Sequence, residues 1–165
     1  MTVQGDVYAT LAGDLTRDIV LNFGEVRIRA LGTSMVPSIL PGDLISIQRT
    51  DLTEISPGEV VVFERRGRFF AHRVVACSGG PDDRHLITRG DRLGHNDPPV
   101  SASELLGRVT TIERALRQSP PPGPLTGWKQ LFSRLLRSSD YATYVYVGLV
   151  ARWRRVISRR AECRA

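Results

Sequence analysis

The sequence is poor in cysteine, and nearly all of its basic residues are arginine. Cys77 and Cys163 are its two cysteines, and Lys129 is the single lysine among 23 basic residues. Two distant cysteines do not make a zinc site, and a disulfide between them has no further support in the sequence. The histidines and acidic residues also lack tight ligand spacing. We therefore expect no metal and no cofactor.

Long hydrophobic runs are also missing. A membrane-spanning helix needs roughly 18–20 apolar residues, and the longest candidate, 141–151, has about half that length. Acidic residues interrupt the first 22 positions, which argues against a secretory signal peptide. The sequence therefore leaves open a membrane-associated protein without a spanning helix or a cytoplasmic protein.

The basic charge is concentrated in the last third of the chain. The net charge is +6 over 165 residues, but residues 114–165 carry eleven basic and two acidic residues, whereas residues 1–113 have a net charge of −3. A hydrophobic content of 41% excludes simple disorder and is enough for one folded domain.

Short apolar runs bounded by glycine and proline turns dominate the middle of the chain. They predict a mainly β fold, a compact antiparallel domain, with a hairpin formed by 60–63 and 69–76. The predicted strands are 26–31, 44–48, 60–63, 69–76, 86–88 and 108–112. The predicted organisation is an N-terminal helical segment (1–25), the β domain (26–113), a Pro-rich linker (114–125) and a basic amphipathic helical region (126–165).

The C-terminal region has helical periodicity and favours a helical hairpin. Its apolar stripe, flanked by arginines, suits an anionic lipid surface, so peripheral membrane contact through 126–160 is one interpretation. A hairpin packed on the β domain is the other. Binding of nucleic acid by the arginines is less favoured, and we expect no nucleic-acid partner.

The first candidate for chemistry is Ser34, at the end of the alternating strand 26–31. A serine at such a position can expose its hydroxyl beside unpaired backbone N–H groups, which are the components of an oxyanion hole. Gly32 permits close approach of a ligand. Met35 and Pro37 could line a substrate groove. Taken alone, Ser34 fits an ordinary turn with one buried methionine better than it fits a catalytic site.

His72, Asp91 and Asp97 could complete a site around Ser34. His72 shares a strand face with Phe70 and Val74, so it is either a hydrogen-bonded core histidine or a partly buried general base. Asp91 and Asp97 lie in glycine-rich and asparagine-rich turns, where an aspartate can simply cap the turn. His95, two residues from Asp97, is a competing candidate for the base.

Taken in order, these segments resemble the signal peptidase I family, the serine endopeptidases related to the self-cleaving LexA and phage-repressor domains. The matching segments cover roughly 26–112; they are 32–40, 41–43, 58–63, 72–75, 88–91 and the turn at Asp97. The resemblance implies a LexA/signal peptidase type of β domain. Lys129 lies beyond the linker and does not match the lysine base of typical bacterial members. His72 resembles the base of the endoplasmic-reticulum type.

The resemblance implies roles for individual residues. Ser34 would be the nucleophile, His72 the base and Asp97 the acid that completes the site, while Asp91 would be the structural aspartate that supports it. Many bacterial relatives carry a serine two residues before the nucleophile as a second oxyanion donor. Here Gly32 occupies that position, and the alternation points Thr33 elsewhere, which leaves the second donor open.

The expected function is therefore that of a serine endopeptidase that cleaves a leader or signal peptide from a precursor protein. The alternative is a module that cleaves itself, as LexA does, or a catalytically degenerate binding domain. Ala12 and Gly13 form the dipeptide at which self-cleaving relatives often cut, and the missing hydroxyl at Gly32 favours degeneracy.

Overall fold

The computed structural model describes residues 16–80, 83–115, 117–121, 123, 145–150 and 152. Within them, seven strands form one sheet in the order β1-β2-β6-β3-β4-β5, with β7 added to β6, and all of these pairings are antiparallel. The mainly β prediction is confirmed. The strands are β1 (Glu25–Arg29), β2 (Leu44–Gln48), β3 (Val60–Arg65), β4 (Arg68–Ser78), β5 (His85–Arg89), β6 (Leu105–Arg114) and β7 (Arg117–Ser119).

Strands β3 and β4 form the predicted hairpin. Arg66 and Gly67 form its two-residue turn, with φ angles of 54° and 70°. Positive φ at both central residues gives the turn the twist that suits antiparallel strands, and glycine adopts it without a steric cost. The resulting register pairs Phe63 with Phe70 and Val61 with His72.

Strand β3 contributes to two hydrophobic clusters, one on each face of the sheet. Val60 and Val62 belong to the first cluster, and Val61 and Phe63 belong to the second. Side chains alternate between the faces of a strand, so a strand buried on both sides needs a continuous apolar run. The uninterrupted run at 60–63 therefore reflects burial on both faces, and it holds the neighbouring β4 in place.

The structure differs from the sequence prediction at the end of the β domain. A tight turn at Ala115, with a φ of 50°, leads into β7, which pairs with β6 from Arg114 to Ile112. The segment predicted as a linker at 114–125 therefore begins with a seventh strand. Strand β7 is exposed along its whole length and has no alternation of apolar and polar residues, so periodicity could not reveal it.

Helical segments accompany the sheet. Among the described residues, 16–23 and 145–150 are α-helical, and Leu52–Glu54 form a 3-10 helix. Tyr146, Val147 and Val150 pack on the buried Val36 and Leu40. The rest of the predicted N-terminal and C-terminal helical regions, including most of the proposed lipid-binding segment 126–160, lies outside the described residues. In the part of the chain that the structure describes, no helix is long and apolar enough to cross a membrane.

Candidate active site

Ser34 lies in the loop between β1 and β2. Two backbone hydrogen bonds close the base of this loop, from the Ala30 N–H to the Asp43 carbonyl (2.8 Å) and from the Gly42 N–H to the Ala30 carbonyl (2.7 Å). After Ser34 the chain coils, and the Ile39 N–H donates to the Met35 carbonyl at 3.0 Å. The closed base and the coil give a half-buried serine a defined position.

His72 lies on β4 beside two aromatic rings. The centroids of Phe63 and Phe70 are each 6.0 Å from that of the imidazole, and His72 is only 3% exposed. Both rings come from the hairpin, because Phe70 is two residues away on the same strand face and Phe63 pairs with Phe70. Aromatic packing thus fixes the plane of the imidazole and limits its contact with water.

The structure brings Ser34, His72 and Asp97 into one hydrogen-bonded line. The imidazole Nε2 is 3.0 Å from the Ser34 Oγ, and its Nδ1 is 2.7 Å from the Asp97 Oδ2. An ionised carboxylate only accepts hydrogen bonds, so Nδ1 carries the proton and Nε2 accepts the one from the serine hydroxyl. This is the arrangement of a nucleophile, its base and the group that orients the base.

Thr88 holds Asp97 from the neighbouring strand β5. Its hydroxyl donates to the Asp97 Oδ2 at 2.7 Å, and the Asp97 N–H donates to the Thr88 carbonyl at 2.8 Å. Burial disfavours the ionised Asp97, but the hydrogen bonds from His72 and Thr88, with the charges of His72 and Arg65, outweigh it and lower the pKa of Asp97. Asp97 is therefore ionised at neutral pH.

Asp91 lies outside this line and belongs to a second network. Its carboxylate accepts two hydrogen bonds from the Arg73 guanidinium, each of 2.8 Å, and a short one from the Ser38 hydroxyl. Arg73 also donates to the Gly58 carbonyl at 2.8 Å. The network ties the loop that carries Ser34 to the strand that carries His72.

The turn around Asp91 also contacts the nucleophile loop directly. The Arg92 N–H donates to the Ser34 carbonyl at 2.9 Å. Gly90 lies against the same carbonyl, where a Cβ atom would be 2.8 Å from the oxygen, closer than real side chains come. The close approach therefore requires glycine at this position, and it sets the distance between the two loops.

A candidate oxyanion donor lies at Ser34 itself. The Ser34 N–H has no hydrogen-bond acceptor among the described residues. Gly32 is exposed, and a Cβ atom there would meet nothing within 4 Å. The Thr33 carbonyl accepts from the Val36 N–H at 3.2 Å, which makes Thr33 part of the turn. One backbone donor is therefore free at Ser34, with open space beside Gly32.

One of the remaining candidates, Met35, differs from the sequence prediction. Met35 is 3% exposed and packs in the first hydrophobic cluster, so it cannot line an open groove as predicted. Its burial agrees with the alternative of a turn with one buried methionine. Pro37 is half-buried after a cis peptide bond. His95 is exposed, and no described residue bonds to it, whereas His72 makes both contacts of a base.

Thr88, Arg73 and Ser38 also belong to the site, although no feature of the sequence marks them. Thr88 and Arg73 lie inside matching segments, next to residues that were singled out, but no spacing rule pairs Thr88 with Asp97 or Arg73 with Asp91. These contacts depend on the antiparallel register of β4 and β5, in which Arg73 pairs with Arg89 and Val74 with Thr88. The pairing of β4 with β5 could have pointed to them.

No group of three or more metal-ligating side chains is found within the described residues. Comparison with protein-family models gave no match, and no curated protein matched the chain. The inference of function therefore depends on the geometry of the site and on the resemblance of the motifs.

Proposed function

We propose that the protein is a serine endopeptidase, similar to the endoplasmic-reticulum type of signal peptidase, that cleaves a leader or signal peptide from a precursor protein. The observation that carries this proposal is the hydrogen-bonded line from Ser34 through His72 to Asp97, with distances of 3.0 and 2.7 Å. Three such residues occur in most proteins, but a buried imidazole bonded to a serine on one side and an ionised aspartate on the other is a specific arrangement.

In the first half of the reaction, the Ser34 Oγ attacks the scissile carbonyl while His72 Nε2 takes the hydroxyl proton. The imidazole becomes cationic, and the carboxylate of Asp97 stabilises it through the Nδ1–H. The tetrahedral intermediate then expels the amine of the mature protein, and His72 Nε2 donates its proton to that amine. The leader peptide remains attached to Ser34 as an ester.

In the second half, His72 activates a water molecule that attacks the ester and releases the leader peptide. The free Ser34 N–H can donate to the oxyanion in both halves. Gly32 supplies no hydroxyl, so a second donor must be another backbone group or the substrate. Removal of a single oxyanion donor typically costs about 10²–10³-fold in kcat, so the site can catalyse with one donor at a reduced rate.

The proposed substrate class comes from the motif resemblance and from the surroundings of the site. Ser34 lies on a loop, half-buried, where an extended peptide can reach the hydroxyl. Peripheral membrane contact through 126–160, one of the two interpretations of that region, would bring precursors to it. Self-cleavage at Ala12 and Gly13 is the alternative, and this dipeptide lies outside the described residues.

The experiment is cleavage of a panel of precursor proteins with N-terminal leader peptides, in vesicles and in solution, followed by mass spectrometry. We expect one defined cut in each accepted precursor. Ser34→Ala and His72→Gln should each reduce the rate by about 10⁴-fold or more, as is usual for sites of this kind. His95→Gln is the matched control and should cleave at the wild-type rate.

Each result has a distinct meaning. Undiminished cleavage by Ser34→Ala would exclude Ser34 as the nucleophile. Equal losses in His72→Gln and His95→Gln would exclude the specific role of His72. A shift of the purified wild-type chain to a lower mass during incubation, absent in Ser34→Ala, would replace precursor processing with self-cleavage.

A further inference from the structure

The face of the β3–β4 hairpin that carries His72 also carries two arginines and two phenylalanines. Cross-strand pairs follow one another along the hairpin: Arg65 with Arg68 near the tip, Phe63 with Phe70 next, and Val61 with His72 after that. Positions 68, 70 and 72 share one face, because side chains alternate along a strand. A basic pair and an aromatic pair therefore lie between the tip and the imidazole.

An open cleft of about 590 Å³ lies over this face. Its walls include Phe63, Phe70 and the arginines of the tip, and at one end it reaches Asp97. The volume is within the range of roughly 300–1,000 Å³ that is usual for ligand pockets. Phe63 is only 1% exposed, and Phe70 is stacked on it with ring centroids 5.6 Å apart, so the half-buried Phe70 offers the apolar surface to a ligand.

Arg65 is a fixed wall of the cleft. Its guanidinium donates to Glu104 at 2.6 and 3.0 Å and to the Pro99 carbonyl at 2.9 Å, and it lies 5.4 Å from the centre of the Phe63 ring. Its positive charge is thus balanced by Glu104. Its contribution is to hold the segment that follows Asp97 against β3.

Arg66 and Arg68 are different, because both are exposed and neither forms an ion pair with a described residue. Among the described residues that line the cleft, Asp97 is the single acidic one, and His72 binds it. Because Glu104 balances the charge of Arg65, the positive charges of Arg66 and Arg68 remain in the cleft. The one negative charge that faces them, on Asp97, is already hydrogen-bonded to His72. The open end of the cleft therefore favours an anionic group.

We propose that this cleft is a substrate subsite for an acidic side chain, in a peptide whose apolar neighbour lies on Phe70. The proposal rests on the proposed function, because it takes the occupant to be the precursor bound at Ser34. His72 lies four positions after Arg68 along β4, a distance of about 13 Å at 3.2–3.4 Å per residue. An extended peptide covers that distance in about four residues, so the acidic residue lies about four positions from the scissile bond.

The first test measures binding without cleavage. A fluorescent peptide with glutamates on both sides of a phenylalanine is titrated into Ser34→Ala protein, beside the same peptide with glutamines. We expect the glutamate peptide to bind about tenfold more tightly, and the difference to shrink as salt is raised. The double substitution Arg66→Asn and Arg68→Gln should remove it, since asparagine tolerates the positive φ at 66.

Arg117→Ala is the matched control. Arg117 is exposed and pairs with Arg114 at one end of β6. Leu105, which pairs with Phe63 of the cleft, lies at the other end of β6. Nine residues of β6 place it about 30 Å from the cleft at 3.3 Å per residue. This variant should bind the glutamate peptide as the parent protein does. Equal loss in Arg117→Ala and the double variant would overturn the proposal, as would equal binding of the two peptides.

Competition identifies the source of the negative charge. Inorganic phosphate or vesicles containing anionic lipid, at matched charge concentration, should displace the glutamate peptide poorly; displacement as strong as that by unlabelled peptide would overturn the peptide assignment. The second test uses active enzyme and precursors in which one glutamate is moved along the chain. We expect kcat/KM to peak about four residues from the cut, and a flat profile would overturn the proposal.

The two proposals fail in different ways. If binding prefers the glutamate peptide and depends on Arg66 and Arg68, but Ser34→Ala leaves cleavage unchanged, the subsite stands and the peptidase assignment falls. If cleavage depends on Ser34 and both peptides bind alike, the peptidase assignment stands and the subsite falls.

Discussion

Asp91 and Asp97 lie in the same connection after β5, yet they belong to two different networks. Each carboxylate binds a residue of β4: Asp91 binds Arg73, and Asp97 binds His72. Their partners are neighbours in sequence, and neighbours on a strand point to opposite faces of the sheet. Strand β4 thus places the Arg73 guanidinium against Asp91 and the His72 imidazole against Asp97.

The partners determine what each carboxylate can do. The side chains of Arg73 and Asp91 are 7% and 3% exposed. A guanidinium carries only hydrogen-bond donors and keeps its positive charge in proteins, so this pair cannot accept the proton of a nucleophile. The imidazole of His72 can accept the proton of Ser34. Asp91 therefore fixes the distance between the loops, whereas Asp97 orients the proposed base, His72.

The largest expected effect is the loss of cleavage when Asp97, the carboxylate that binds His72, is substituted. Asp97→Asn should reduce cleavage about 10³–10⁴-fold, because an amide can stabilise the wrong tautomer of His72 and cannot balance the imidazolium. Initial rates of precursor cleavage measure the loss. Urea denaturation of the same variant is the control, and we expect a smaller change in stability than for Asp91→Asn. A loss of less than tenfold would remove Asp97 from the site.

The main effect of substituting Asp91, the carboxylate that binds Arg73, should be on the stability of the fold. Asp91→Asn leaves the charge of Arg73 buried with a neutral partner, and breaking a buried pair costs about 3–5 kcal/mol. Urea denaturation measures the free energy of unfolding.

The matched double variant, Arg73→Met with Asp91→Leu, removes both charges and should recover most of the lost stability, since apolar replacement of a buried pair is often neutral. If Asp91→Asn unfolds like the wild type, Asp91 is not the scaffold of the site.

Thr88→Val tests how the aspartate of the site is held. Loss of a hydrogen bond to a charged group is worth about 1.5 kcal/mol, or roughly a tenfold loss of kcat/KM. The Thr88 bond lowers the pKa of Asp97, so its removal should raise that pKa, and the titration of the Asp97 carboxyl followed by NMR should move to higher pH. Thr88→Ser keeps the hydroxyl and should keep the wild-type titration. Identical Asp97 titrations for the Val and Ser variants would contradict this role.

The pair of Arg65 and Glu104 extends the comparison to a more exposed ion pair. The hydrogen bond from Arg65 is the main reason why the pKa of Glu104 falls from its ordinary 4.5 to about 2. A lowered pKa stabilises the fold above the ordinary value, and this contribution is lost as the pH falls from 4.5 to about 2.

Because the two side chains are 22% and 26% exposed, solvent screens the pair, and Glu104→Gln should cost only about 1 kcal/mol at pH 7. The difference from the wild type should vanish near pH 2. Urea midpoints at both pH values measure it, and a cost as large as that of Asp91→Asn would contradict the comparison.

Much of the fold could be predicted because its signals are local. The turn residues and the short apolar runs between them identified six strands, and the short turn at 66–67 identified the hairpin. Strand β7 was missed because its residues are polar and exposed, and its pairing with β6 depends on backbone groups alone.

The site could be predicted in part. The motif segments pointed to Ser34, His72 and Asp97, which the fold brings within hydrogen-bond distance of each other. Thr88 and Arg73 could not be assigned, because their partners depend on register. Met35 was misjudged because the loop coils after Ser34 and turns its side chain into the core. A motif indicates which residues react, whereas burial and partners depend on the folded chain.

The most direct test of the central claim is acylation of the protein by a peptide p-nitrophenyl ester, with rapid acid quench and mapping of the modified residue by mass spectrometry. We expect an acyl group on Ser34 of the wild type, formed at least 10³-fold more slowly in His72→Gln and at the wild-type rate in His95→Gln. Acylation at another residue, or equal rates on Ser34 with and without the His72 imidazole, would contradict it.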